Sequence, residues 1–171
     1  MVKCFQRGLI MIIVVMGVCS SGKTVIGGLL AQRLGLSFCD ADDFHPESNV
    51  KKMSRGIALN DKDRLPWLKS MAGKMPQLEK GGGAVLACSA LKNSYRNILR
   101  TGSRDVKFIY LKGTKEIILK RIKNRKGHFF PPSLVDSQFE TLEEPEDAIV
   151  VDIARKPDVI VEEIVRKLNK G

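Results

Sequence analysis

Residues 9–24 read Leu9-Ile10-Met11-Ile12-Ile13-Val14-Val15-Met16 and then Gly17-Val18-Cys19-Ser20-Ser21-Gly22-Lys23-Thr24. The first half is an unbroken apolar run rich in Ile and Val, as expected of a central parallel strand covered on both faces. The second half matches G-x-x-x-x-G-K-[ST], the pattern of a phosphate-binding loop. Glycines let such a loop curl so that successive backbone N–H groups face phosphate oxygens, and the helix that follows adds its positive dipole end. Lys23 is placed to reach the β- and γ-phosphates of a nucleotide, and the Thr24 hydroxyl to ligate Mg²⁺. The pattern alone also arises by accident. Here it follows an apolar strand and opens an amphipathic helix, the context that gives it meaning.

Outward from this loop, strands and helices alternate. The helix is expected over Gly22–Leu34, with Gly35 as its C-terminal cap. Gly27 and Gly28 inside it cost about 1 kcal/mol each relative to Ala, so close packing is expected there. Further strands are read at 37–40, 84–88, 106–111 and 148–152. Helices are read at 47–54, 64–80, 94–99, 114–124, 133–142 and 157–168, with Pro76 expected to kink or end the long one. This alternation implies right-handed crossovers and an α/β fold built on a parallel five-stranded sheet sandwiched by helices.

The chain has 171 residues, 43% hydrophobic and 28% charged, enough for one globular domain with a core. The net charge of +10 points to anionic partners. It is spread along the chain with no arginine-rich tail and no basic–aromatic interleaving, which argues against a dedicated nucleic-acid binder. The four cysteines form no CxxC pair, so neither a zinc site nor a disulfide framework is expected. Cys19, Cys39 and Cys88 read as small buried fillers. Lys3 and Arg7 before the apolar run mimic a secretory signal, but the run is too short to span a bilayer and leads straight into the loop. The strand reading is preferred.

A carboxylate for the metal is missing from its commonest place, because the 84–88 strand is followed by Ser89. The replacement is sought in Asp40-Ala41-Asp42-Asp43, just past the second strand, where α/β sheets bind ligands. Asp40 and Asp42 are read as functional and Asp43 as a solvated turn residue.

Beyond the loop come Asp40-Ala41-Asp42-Asp43-Phe44-His45-Pro46, Asn49, Lys52-Met53, and Leu59-Asn60-Asp61 leading to Asp63-Arg64-Leu65-Pro66-Trp67-Leu68. Cys88-Ser89-Ala90-Leu91-Lys92, Arg125-Lys126-Gly127-His128-Phe129-Phe130 and Ser137-Gln138-Phe139-Glu140-Thr141-Leu142-Glu143 follow in order. With these blocks the chain resembles the small P-loop gluconate kinases, relatives of shikimate and adenylate kinases, from about Val14 to the C-terminus. One departure is Ser20, where the family usually has glycine; strain is expected if that position needs a positive φ.

The resemblance implies a P-loop NTP hydrolase fold of the nucleoside-monophosphate-kinase type. It would be a single domain over 1–171, with a substrate-binding helical segment at about 43–80 and a small mobile lid at about 125–142. It implies ATP-dependent phosphorylation of D-gluconate at its terminal hydroxyl with Mg²⁺, in a soluble cytoplasmic enzyme that can form a homodimer. It implies no binding to membrane or nucleic acid. Gly17, Val18, Cys19, Ser20, Ser21, Gly22, Lys23 and Thr24 would hold the nucleotide, Thr24 and Asp40 the metal, and Asp42 the acceptor hydroxyls. Arg64 is the first choice for the substrate carboxylate because its planar fork matches it bidentately. Lys92 and His45 are further candidates, although His45 beside Pro46 can equally fix a turn. Arg121 and Arg125 lie on one helical face leading into the lid. Closure would bring arginine to the transferring phosphoryl group, and the usual alternative is a solvated basic face. Ser133 with Asp136 reads as a capping box. The rivals are another small-molecule kinase, acting on shikimate or a nucleoside monophosphate, and a non-catalytic nucleotide- or RNA-binding module.

Overall fold

The computed structural model describes residues 11–124 and 131–170. Five parallel strands, β1 (Ile12–Met16), β2 (Ser37–Asp40), β3 (Ala84–Ala87), β4 (Val106–Lys112) and β5 (Ile149–Asp152), form one sheet in the order β2-β3-β1-β4-β5. β1 lies at its centre, with Val14 opposite Leu86 of β3 and Phe108 of β4. The helices are α1 (Lys23–Leu34), α2 (Glu47–Ser54), α3 (Asp61–Lys80), α4 (Asn93–Arg100), α5 (Lys115–Asn124), α6 (Pro132–Thr141) and α7 (Pro157–Leu168).

Alternate β1 side chains feed two cores, because successive residues of a strand face opposite ways. Ile13 and Val15 pack with Ile26 and Leu30 of α1, Ile118 of α5 and Ile164 of α7. Ile12, Val14 and Met16 pack with Trp67, Leu68 and Met71 of α3 and Leu99 of α4. A strand fully buried on both faces reads as a continuous apolar run. Leu9 and Ile10, expected at its start, lie outside the described residues.

α3 runs through Pro76 to Lys80, the expected end, and it begins at Asp61, earlier than expected. Proline at 76 withholds the N–H that the Ala72 carbonyl would accept. That carbonyl lies against Gly102, where a Cβ would collide with it, so the neighbouring turn fits around the interrupted ladder. α3 starts early because Asn60 and Asp63 form a reciprocal capping box: the Asn60 side chain accepts from the Asp63 N–H at 2.9 Å and Asp63 accepts from the Asn60 N–H at 3.0 Å. Gly27 is explained by Phe38, whose ring a Cβ would strike; nothing in the structure explains Gly28. Ser133 caps nothing, as α6 opens on Pro131 and Pro132 and Asp136 instead pairs with Lys115 at 2.6 Å.

Candidate active site

The turn after β1 and the turn after β2 come together because β1 and β2 both flank β3 and end on the same side of the sheet. In the first turn, Gly17 donates its N–H to the Ser89 carbonyl at 3.3 Å, and the Lys23 ammonium donates to the Val18 carbonyl at 2.9 Å, folding the side chain back over its own loop. Ser20 sits at φ 55°, the left-handed conformation anticipated at that place, which costs a serine about 1–2 kcal/mol. Arg121 holds this turn from outside, donating to the Ser21 carbonyl at 2.9 Å and to the Ile153 carbonyl at 2.6 Å.

In the second turn, Asp40 uses both oxygens. Oδ1 accepts the Asp42 N–H at 3.0 Å and so caps the short 3₁₀ turn Ala41–Phe44, while Oδ2 accepts the Thr24 hydroxyl at 2.7 Å. The turn is fixed from below by Trp67, which is 1% exposed and donates its indole N–H to the Ala41 carbonyl at 2.7 Å. His45 stacks on the same indole, ring centroids 4.1 Å apart at 19°.

Between the turns opens a cleft of about 130 Å³ lined by Cys19, Lys23, Asp42, His45, Met53, Ile57, Ala58, Leu59, Arg64, Ser89, Leu134, Ser137 and Gln138. Burial pulls the Lys23 pKa down, and the Asp42 charge opposes that most strongly. The Asp42 carboxylate keeps 72% exposure, yet the walls around it remove enough solvent to raise its pKa, with Lys23 pulling the other way. Burial, helped by Arg64, lowers the His45 pKa from 6.5 to about 4, so its imidazole is neutral at pH 7. Arg64 is 8% exposed and uses Nε on the Leu59 carbonyl at 3.3 Å; among the described residues its other nitrogens carry no hydrogen bond. The site therefore brings an ammonium, a guanidinium fork and one carboxylate into one partly dry cleft.

The sequence matches the shikimate kinase family over residues 19–169. The chain is 46% identical to the probable gluconokinase of Xenopus tropicalis, across 94% of each chain. It is 47% identical to the thermosensitive gluconokinase of Escherichia coli (strain K12), across 82% of this chain and 78% of that one. Its fold superposes on a crystal structure of a gluconokinase from Sinorhizobium meliloti 1021 with a TM-score of 0.87 and 39% identity, covering 96% of this chain and 94% of the other. The chain belongs to the shikimate kinase family, in its gluconokinase group.

For a kinase of this family, the structure gathers most of the residues singled out from sequence. Lys23, Asp42, His45 and Arg64 share the cleft, and Thr24 and Asp40 stand hydrogen-bonded at its edge. Lys92 does not line it. Its ammonium is taken by both carboxylate oxygens of Asp61, at 2.8 and 3.0 Å, and Tyr95 donates its hydroxyl to the same group. Arg121 is likewise engaged, on backbone carbonyls, where the lid reading wanted it free. Arg125 lies outside the described residues, as does the first part of the expected lid.

The sequence reading missed Gln138. Its Oε1 accepts the Cys19 N–H at 2.6 Å, joining α6 to the phosphate loop. Its position inside the Ser137-Gln138-Phe139 block was the available signal. Among the described residues only Cys88 is a fully buried cysteine; Cys19 and Cys39 are half-buried. Burial pushes the Cys19 thiol up to about 11 and the Cys88 thiol up to about 12, so neither is a nucleophile at neutral pH.

Proposed function

We propose that this protein transfers the γ-phosphoryl group of ATP to the terminal hydroxyl of D-gluconate, giving 6-phosphogluconate. The observation that carries this is the one cleft lined by Lys23, Asp42 and Arg64, whose guanidinium nitrogens other than Nε carry no hydrogen bond among the described residues. The gluconokinase relatives supply the acceptor's identity.

Phosphoryl transfer passes through a loose transition state, so the protein mainly positions groups and neutralises charge. Residues 17–24 and the Lys23 ammonium hold the triphosphate. Asp42 binds the acceptor hydroxyls and orients the attacking one. Orientation matters more than full proton removal, because an alcohol is a poor acid. Arg64 takes the carboxylate of the sugar acid through its fork. Arg125, from the lid at about 125–142, approaches the transferring group on closure. Arg121 holds the carbonyl side of the phosphate loop so that its N–H groups turn toward the nucleotide.

Mg²⁺ fits the pair Thr24 and Asp40. A hydroxyl and a carboxylate oxygen stand 2.7 Å apart, and both are hard donors. Mg²⁺ favours such a sparse protein contribution, completed by phosphates and water, and when bound it neutralises charge on the β- and γ-oxygens. The proposal also takes the enzyme to be a cytoplasmic single-domain protein, able to pair as a homodimer and acting on a small molecule. The central position of Ile12–Met16 supports this, since removing that run as a signal would take out the middle strand of the sheet. Among the described residues no helix is long and apolar enough to cross a membrane.

An ADP-release assay over gluconate, shikimate and AMP tests the reading. Turnover is expected with gluconate, and background rates with gluconate would end the substrate assignment. Lys23→Met is expected to remove nearly all activity.

A further inference from the structure

The side chains around His45 determine which ring nitrogen carries its proton. Asn49 is buried, and its amide nitrogen lies 2.9 Å from the backbone carbonyl oxygen of Asp63, an atom that can only accept. That contact fixes which end of the amide is the NH₂. The second N–H of the same nitrogen faces His45 Nδ1 at 3.3 Å. A donor facing Nδ1 requires a lone pair there, so the neutral ring carries its proton on Nε2. The ring cannot swing away easily, being 4% exposed and stacked on Trp67.

Nε2 points to the Asp42 side of the cleft and stands 3.8 Å from Oδ1. That is too far for a direct hydrogen bond, but an alcohol oxygen in the cleft, off the line joining the two atoms, comes within hydrogen-bonding reach of both. A hydroxyl is both donor and acceptor, so it can accept from His45 and donate to Asp42 at once. The hydroxyl being phosphorylated is a poor candidate, because a donor on its oxygen draws electron density from the attacking atom and makes it a weaker nucleophile. The other Asp42 oxygen remains for that one.

We propose that His45 Nε2–H and Asp42 Oδ1 together read a non-reacting hydroxyl of the acceptor, the one vicinal to the hydroxyl that is phosphorylated, and that Asn49 is the positioning residue that sets the His45 tautomer. This rests on the sugar-acid kinase reading above. It makes the site selective for an acceptor with a free hydroxyl beside its terminal one. An analogue lacking that hydroxyl leaves a donor and an acceptor facing each other unfilled.

The test begins with the unmutated protein labelled with ¹⁵N-histidine. The chain has two histidines, so a His45→Gln variant assigns the His45 signals by their loss. At pH 7 the His45 ring is expected with Nε2 protonated and Nδ1 bare. Asn49→Asp, which places an acceptor opposite Nδ1, is expected to draw a proton onto that nitrogen. A ring with Nδ1–H in the unmutated protein overturns the proposal, and so does a doubly protonated ring. Because Asn49 also ties α2 to α3, this decisive spectrum does not depend on the Asn49 variant folding.

Kinetics with D-gluconate and its 5-deoxy analogue complete the test. His45→Leu is expected to lower kcat/KM for gluconate about tenfold, the value of one neutral hydrogen bond, mainly through KM. On the 5-deoxy analogue the same change should cost almost nothing. His45→Gln, which keeps an N–H near the Nε2 position, should recover most of the loss. Equal losses on both substrates overturn the hydroxyl assignment. An unmutated enzyme that fails to turn over gluconate at all would strike the substrate reading and the hydroxyl assignment with it, while the spectrum would still decide the tautomer.

Discussion

Replacing Trp67 by phenylalanine should damage this protein twice, once in stability and once in activity. The indole N–H is the donor to the buried Ala41 carbonyl at 2.7 Å, and phenylalanine has no such donor. Leaving a buried carbonyl unpaired costs about 1–3 kcal/mol. The smaller ring also leaves part of a 1% exposed site unfilled, adding about 1–2 kcal/mol. A loss of about 3 kcal/mol corresponds to a fall of about 6–12 °C in Tm for a domain of this size. Ala41 stands between Asp40 and Asp42, and the same indole is the platform under His45. Slackening it should therefore displace the carboxylates, lowering kcat/KM for the sugar acid roughly 10- to 100-fold even where the variant is folded. Urea unfolding and steady-state kinetics at low temperature measure the two effects separately. A urea midpoint unchanged from the parent would deny the energetic role of the bond. A destabilised variant with parental kcat/KM would sever the link from Trp67 to the carboxylates.

Arg64→Lys keeps the charge but loses the planar fork, so KM for the sugar acid should rise about tenfold or more while KM for ATP stays near the parent value. Thr24→Ala should raise the Mg²⁺ concentration needed for half-maximal rate, which a metal titration at fixed ATP reads directly; an unshifted titration would remove Thr24 from the metal site. At Ser20 the left-handed backbone makes Ser20→Val cost about 1–2 kcal/mol, whereas Ser20→Gly should be neutral or mildly stabilising, as compared by urea midpoints. The depressed His45 pKa also makes stability pH-dependent. The unfolded chain takes up the proton first, so the stabilisation is complete above about 6.5 and is lost as pH falls through about 4. Between pH 7 and 4.5 the parent should lose roughly 2–3 kcal/mol more than His45→Gln, Asp42 and Arg64 being present in both.

The sequence alone determined the sheet, the phosphate loop and the ionisable groups Lys23, Asp42, His45 and Arg64 of the cleft, and the reason is local. Residues 12–16 must be covered on both faces because all five are apolar, and a Gly-rich turn after such a strand and before a helix has few other uses. Periodicity and capping residues work over a single turn of chain, so β2, α2 and α7 came out with the observed bounds.

Tertiary structure decided which charged groups stay free. From sequence, Arg64 and Lys92 were both cations near the expected site, and nothing local said that Asp61 would satisfy Lys92 while Arg64, among the described residues, kept its fork open. Arg121 seemed free to close on a phosphate, but its fork already spans the carbonyls of Ser21 and Ile153, which lie 100 and 32 residues away. Gln138 and Asn49 acquire roles only through partners 119 and 14 residues distant, Cys19 and Asp63. Hydrogen-bond satisfaction of polar side chains depends on what folding brings opposite them, and no window along the chain contains that information.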